Sequence, residues 1–278
     1  MSCPDCAKGG LHEGTPEGRE ETLHGFHTYV TGPPAGTNIK GEIVYLPDAL
    51  GWKFNNSRIL ADKYAKRTSS KVYLPDFMDG HAMDVSMFTN MDTLTSSQSI
   101  LWKVGPLLNT IAGFVPFMYY NRLAVATPRV TQFLASLRTA QLNPLPIGAA
   151  GFCWGGKFVF LLCGEILNSS GRPLIDFGFT AHPSNLVLPL DAENVKLPIS
   201  VTIGDVDVMI PKKQAEDLKA TLEAKGEHEM VIIPGAVHGF ATRAKPGDEE
   251  GTKQGLQAED QAVNWFNKCF SGYEKAYT

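Results

Sequence analysis

The chain has 278 residues, with 25 Lys and Arg against 29 Asp and Glu for a formal net charge of −4; 43% of its residues are hydrophobic and 19% charged. This is the balance of a water-soluble globular protein, and one core can grow to roughly 250–300 residues, so a single α/β domain over 1–278 is expected. With no basic run and a mildly acidic balance, the chain repels phosphate and anionic lipid at long range, which argues against a nucleic-acid binder.

In chain order, apolar runs alternate with helical patterns, the arrangement of a mainly parallel sheet covered by helices on both faces. Expected strands are one around His24–Thr31, then Gly41–Leu46, Lys71–Leu74, Pro146–Phe152, Ile175–Thr180, Leu197–Ile203 and Glu229–Ile233. Expected helices are Ser57–Arg67, Pro128–Leu142, Gly155–Ile166 and Pro211–Ala224. Pro211 suits a first helical position, and Ala215, Leu218 and Leu222 share a face. A last helix spaces Leu256, Glu259, Val263, Phe266 and Phe270 as one stripe, expected to pack on the sheet edge.

The segment Asp76–Thr127 is too long for a simple connection and is rich in Met, Phe, Trp and Tyr, so it reads as a cap-like insertion over the carboxyl end of the sheet. Leu101, Val104, Leu108 and Ile111 in it have helical spacing, which also fits an extra core helix. The uncharged run Val104–Asn121 is 18 residues long, but Gly105, Pro106, Asn109, Gly113 and Pro116 argue against a membrane span.

Five cysteines in a chain this large do not suggest a disulfide framework, and MSCPDCAKGG has no basic region followed by an apolar run. A reducing, cytoplasmic setting is therefore expected. Cys3-Pro4-Asp5-Cys6 with His12 lacks a second Cys pair and reads as a tail rather than zinc ligands, so no metal or organic cofactor is expected.

The chemistry concentrates in Gly151-Phe152-Cys153-Trp154-Gly155-Gly156-Lys157, between an expected strand and an expected helix. A nucleophile on such a turn has a strained backbone and needs small neighbours, which Gly151 and Gly155 provide; this is a nucleophile elbow with Cys in place of Ser. The following helix aims its amino end at Cys153, favouring thiolate and, later, an oxyanion. The plainer alternative is an inert thiol in a glycine-rich turn. Against it stand an acid and a histidine in the required order: Gly204-Asp205-Val206-Asp207 after one strand, and Val237-His238-Gly239-Phe240 after the last. Asp207 lies 54 residues after Cys153 and His238 lies 31 after Asp207, about one helix–strand unit each. Asp207 is favoured as the acid because it is nearer the helix start at Pro211, with Asp205 as the competing turn residue.

On these motifs, together with the opening Cys-Pro-Asp-Cys, the sequence resembles the dienelactone hydrolase family of α/β-hydrolases, fungal branch, from about His24 to Phe270. The resemblance implies a Cys153–His238–Asp207 triad and an oxyanion hole from the N–H groups of Trp154 and Ala49. Bacterial members place a Glu beside the resting thiol after the first core strand; Pro47-Asp48-Ala49-Leu50-Gly51 offers the shorter Asp48 there as an auxiliary residue. They also use arginines for a substrate carboxylate, one of which is matched by Arg243 with a one-residue displacement, while the Asp76–Thr127 segment nearly lacks basic residues. Both differences point to a larger, more apolar substrate.

Leu50, His182, Phe240, Arg243 and Trp102 are candidate substrate-binding residues. Phe114, Phe117, Tyr119 and Tyr120 either line the same pocket or fill a core, and Arg122 and Arg243 either meet an acidic substrate group or serve the surface. The expected function is hydrolysis of a small ester or lactone through a thioester acyl-enzyme. The rival readings are a thioesterase or carboxylesterase for a polyketide or fatty acyl group, and a lyase, isomerase or binding protein on the same fold. The expected partner is the small-molecule substrate, without nucleic acid or membrane, and a homodimer is left open.

Overall fold

The computed structural model describes residues 10, 12–95, 99–142, 144–245 and 247–277. Its elements run β1 (Arg19–Leu23), β2 (Phe26–Thr31), β3 (Gly41–Leu46), α1 (Asn55–Thr68), β4 (Ser70–Pro75), α2 (Ser86–Thr95), α3 (Ile100–Tyr120), α4 (Leu123–Ala140) and β5 (Ile147–Phe152). They continue with α5 (Trp154–Cys163), β6 (Phe177–Ala181), α6 (Leu190–Glu193), β7 (Ile199–Gly204), α7 (Lys212–Glu223), β8 (Glu229–Ile233), α8 (Phe240–Arg243) and α9 (Glu249–Tyr277).

The strands form one sheet in the order β1-β2-β4-β3-β5-β6-β7-β8. The pairs β1/β2 and β2/β4 are antiparallel and all others parallel. Every residue of β3, β5 and β7 is buried, which is why these strands read as near-continuous apolar runs. One face is covered by α4, α5 and α7 through Phe133, Leu134, Phe158 and Leu218, and the other by α1 and α9 through Tyr64, Phe266 and Phe270. This is the α/β-hydrolase fold. β4 lies on one side of β3 and β5 on the other, with Leu46 beside Gly151. The chain direction across the sheet therefore switches between β3 and β5, leaving a crevice at their carboxyl ends where such folds place ligands.

Several expectations need correction. The strand around His24–Thr31 is β2 alone, preceded by a turn at His24-Gly25 and by the unforeseen edge strand β1, whose sequence REETL is too polar and short to signal itself. Pro211 is the residue before α7 rather than its first, although Ala215, Leu218 and Leu222 are buried on it as expected. α9 packs across the sheet face, not its edge, with Phe266 against Phe177 and Phe179 of β6. The polar Glu259 is buried there because Lys63 (2.9 Å) and Arg67 (2.7 Å) of α1 reach it, while Leu256, expected in the buried stripe, is exposed.

The segment 76–127 forms α2, α3 and the start of α4. Its ends are fastened at the carboxyl edge of the sheet. The Met83 amide donates to the Ala49 carbonyl (2.7 Å), and the Trp154 indole donates to the Asn121 carbonyl (3.0 Å). Leu101, Val104, Leu108 and Ile111 do lie on a helix, but not a core helix: all four are exposed, because α3 packs extensively on α2 alone among the described elements. No helix among the described residues is long and apolar enough to cross a membrane.

Candidate active site

Cys153 joins β5 to α5 with φ 50° and ψ −111°, outside the regions that L residues prefer. The turn is held by its own backbone. The Cys153 amide donates to Ala181 O (3.4 Å), and the Cys153 carbonyl accepts from Gly156 N (3.1 Å) and Ser184 N (2.9 Å). A Cβ at Gly155 would stand 2.0 Å from the Leu46 carbonyl oxygen, so α5 can cross this close to β3 only with glycine there. Trp154 opens α5, so its N–H belongs to the first turn, where amides have no acceptor within the helix.

His238 and Asp207 come from the loops after β8 and β7. His238 Nδ1 lies 2.9 Å from Asp207 Oδ2 and 3.1 Å from Oδ1, and both side chains are fully buried. Asp207 Oδ1 also accepts the Met209 amide (2.8 Å), which fixes the carboxylate. Burial disfavours a charged imidazole. The negative charge and hydrogen bond of the Cys153 side chain, with Asp207 behind, outweigh it and hold the His238 pKa up at about 10. Asp205 is engaged elsewhere, accepting the Gly235 amide (2.7 Å) and pairing with Lys212 (3.7 Å).

Asp48 is buried near the thiol. Its carboxylate accepts the Leu50 amide (3.0 Å) and the Thr242 hydroxyl (3.2 Å), and faces Arg243 Nε at 3.5 Å. Burial raises its pKa, Arg243 lowers it and Cys153 raises it again, for a net upward shift. Arg243 is itself buried and lies over Gly239, where a Cβ would meet its Nη2 at 2.3 Å; with φ 92° as well, glycine is required between His238 and Phe240. His182 packs edge to face on His238 with ring centroids 5.1 Å apart, and within 6.0 Å of Phe152 and 5.5 Å of Phe240. Burial, His238 and Arg243 together push its pKa well down, so it stays neutral.

Cys153, Trp154, Asp48, Ala49, Leu50, His182, Asp207, His238, Phe240 and Arg243 are thus all buried at the carboxyl ends of β3, β5, β6, β7 and β8. Trp102 is not brought in: it is 73% exposed on α3. Phe117 is buried and Phe114 packs against it, whereas Tyr119 and Tyr120 are exposed, Tyr119 beneath the Arg122 guanidinium. Three contributors were not picked out from the sequence: Ser184, whose Oγ is 3.8 Å from Cys153 Sγ, Thr242 on Asp48, and Asn121 under Trp154. Ser184 could have been suspected, since it stands in the His182-Pro183 loop facing the elbow.

Among the described residues no group of three His, Cys, Asp or Glu is arranged to hold a metal ion. Cys3 and Cys6 lie outside the described residues, and the His12 amide is bound to Asn56 Oδ1 (2.8 Å).

The chain is 26% identical to the hydrolase tropI of Talaromyces stipitatus over 271 residues, covering 96% of each chain. It is 24% identical to a carboxymethylenebutenolidase homologue of Homo sapiens, covering 90% of this chain and 91% of that one. A crystal structure of a putative dienelactone hydrolase from Klebsiella pneumoniae shares the fold with a TM-score of 0.59 at 17% identity, covering 89% of this chain and 97% of the other. The profile of the dienelactone hydrolase family matches residues 26–270, so the chain belongs to that family of ester hydrolases.

Proposed function

We propose that the protein hydrolyses a small ester or lactone through a Cys153–His238–Asp207 triad and a thioester acyl-enzyme. The observation that carries this reading is a fully buried His238 paired with Asp207 at 2.9 Å and near enough to the elbow residue Cys153 for its charge to raise the imidazole pKa. A thiolate at Cys153 attacks the acyl carbonyl, and the carbonyl electron pair moves onto oxygen. The N–H groups of Trp154 and Ala49 take that oxyanion; one such donor is worth roughly 10²–10³ in rate. Collapse expels the alkoxide, which leaves with the proton of His238. Neutral His238 then takes a proton from water, hydroxide adds to the thioester, and the acid departs as the thiolate returns, with Asp207 fixing the imidazole tautomer throughout. An amide intermediate would instead expel the thiolate, a better leaving group than an amine, which favours lactones and activated esters.

In this reading the segment 76–127 caps the site of a single domain, and the Asp48–Arg243 pair, being spent on each other, leaves the pocket to apolar acyl groups. Cys153→Ala is the test: on a panel of aryl esters and lactones its hydrolysis rate should fall to background while its circular dichroism is unchanged. Retained turnover would overturn covalent catalysis and favour a reaction in which His238 acts as a base alone.

A further inference from the structure

The outer face of α3 carries a strict heptad seam. Leu101, Val104, Leu108, Ile111, Val115 and Met118 follow at alternating three- and four-residue steps, and all six are 43–81% exposed. The prolines of the helix, Pro106 and Pro116, and its single charged residue, Lys103, fall off this seam. A helix that is apolar all round is ordinarily buried, yet α3 packs extensively only on α2 among the described elements and enters the core through Phe117. At 43–81% exposure the six seam side chains present roughly 500–600 Å² of apolar surface, the upper end of the largest patch on a typical monomer.

We propose that α3 pairs antiparallel with α3 of a second copy, making the protein a homodimer. The seam is self-complementary. About a two-fold axis between Asn109 and Thr110, Leu101 meets the second copy's Met118, Val104 meets its Val115, and Leu108 meets its Ile111. All six seam residues are used in a–d layers, an isologous contact of knobs into holes. Flanking the seam, Gly105 of one copy comes beside Ala112 of the other, and no atom lies within 4 Å of where a Gly105 Cβ would stand, so the helices can approach closely. With Leu107 and Tyr119 flanking the seam, both exposed, the face approaches the roughly 800 Å² per partner of a standard interface. A membrane surface fits less well, because interfacial helices pair the apolar face with a cationic one and α3 has one lysine.

Sedimentation velocity on the full chain at micromolar concentration should give twice the chain mass, halved by Leu108→Glu/Ile111→Glu with unchanged circular dichroism. Cysteines give a second reading that does not depend on how that variant folds. Under mild oxidation Leu101→Cys/Met118→Cys should yield a disulfide-linked dimer and each single substitution should not. The two positions lie about 26 Å apart along one helix, too far to bridge within a chain. Exposed Glu216→Cys on α7 is the control. A monomeric wild type, a dimer that survives the double glutamate variant, self-linking by Leu101→Cys alone, or a monomer that co-sediments with neutral phosphatidylcholine vesicles would each overturn the proposal.

Discussion

Asp205 and Asp207 stand two residues apart and hold different partners. Asp207 accepts from His238 and from the Met209 amide, whereas Asp205 ties the Gly235 turn and pairs with Lys212. Replacing the carboxylate that fixes a catalytic imidazole costs up to about 10⁴-fold in kcat even when geometry survives. Asp207→Asn should therefore lose most turnover, and Asp205→Asn should stay within the same order of magnitude; steady-state kinetics on one aryl ester compares them, and equal losses would remove Asp207 from its role. At this scale the order Cys153, Asp207, His238 was legible because each residue follows a strand end and backbone topology then brings the three together. Thr242 on Asp48 was not, since that contact spans 194 residues of sequence and depends on how α8 packs. Nor was the fate of Trp102, which turns on how far α3 stands from the domain.

At the scale of elements, α5 is anchored at both ends of its first turn. Gly155 lets it approach β3, and Lys157 Nζ reaches Asp191 Oδ2 of α6 at 2.6 Å, with both side chains buried. Asp191 Oδ2 also accepts the Val187 amide at 2.6 Å, so the pair ties the helix after Cys153 to the loop after β6. Breaking a buried pair by removing one partner costs roughly 3–5 kcal/mol, because the other charge is left in place. Lys157→Met should lower stability to urea by about that amount, and Lys157→Met/Asp191→Leu should recover part of it; a loss under about 1 kcal/mol would show the pair to be dispensable. Lys157 was visible in the motif but its partner was not, because salt-bridge partners leave no periodic trace. Element identity was more readable than element packing. β3, a buried apolar run, and β8, a half-buried apolar run at the sheet edge, have the expected bounds, while α9 sits on the face, where Lys63 and Arg67 can pair Glu259.

For the whole molecule, two buried histidines set opposite slopes of stability against pH. His182 is held well below its ordinary 6.5, so below that pH the unfolded chain takes up a proton that the folded one refuses, and stability falls with acid. His238 is raised to about 10, so its contribution is complete below pH 6.5 and is lost as pH rises through about 10. Calorimetric Tm values across pH 5 to 10 should show His182→Phe gaining on the wild type toward acid pH and His238→Gln losing least at the alkaline end. Parallel curves for wild type and variants would contradict both assignments. The fold class was legible because alternating strands and helices over this length admit few arrangements, whereas the stance of α3 was not, since its spacing fits a buried helix and an exposed seam equally.

If the proposed hydrolysis is covalent, an acyl group passes through Cys153. Intact-protein mass spectrometry of His238→Ala after incubation with activated esters and lactones tests it most directly. An acyl adduct should map to Cys153 and persist in the variant but be fleeting in the wild type, because without His238 no base activates the water that releases it. No adduct with any substrate, while iodoacetamide still labels Cys153, would contradict it.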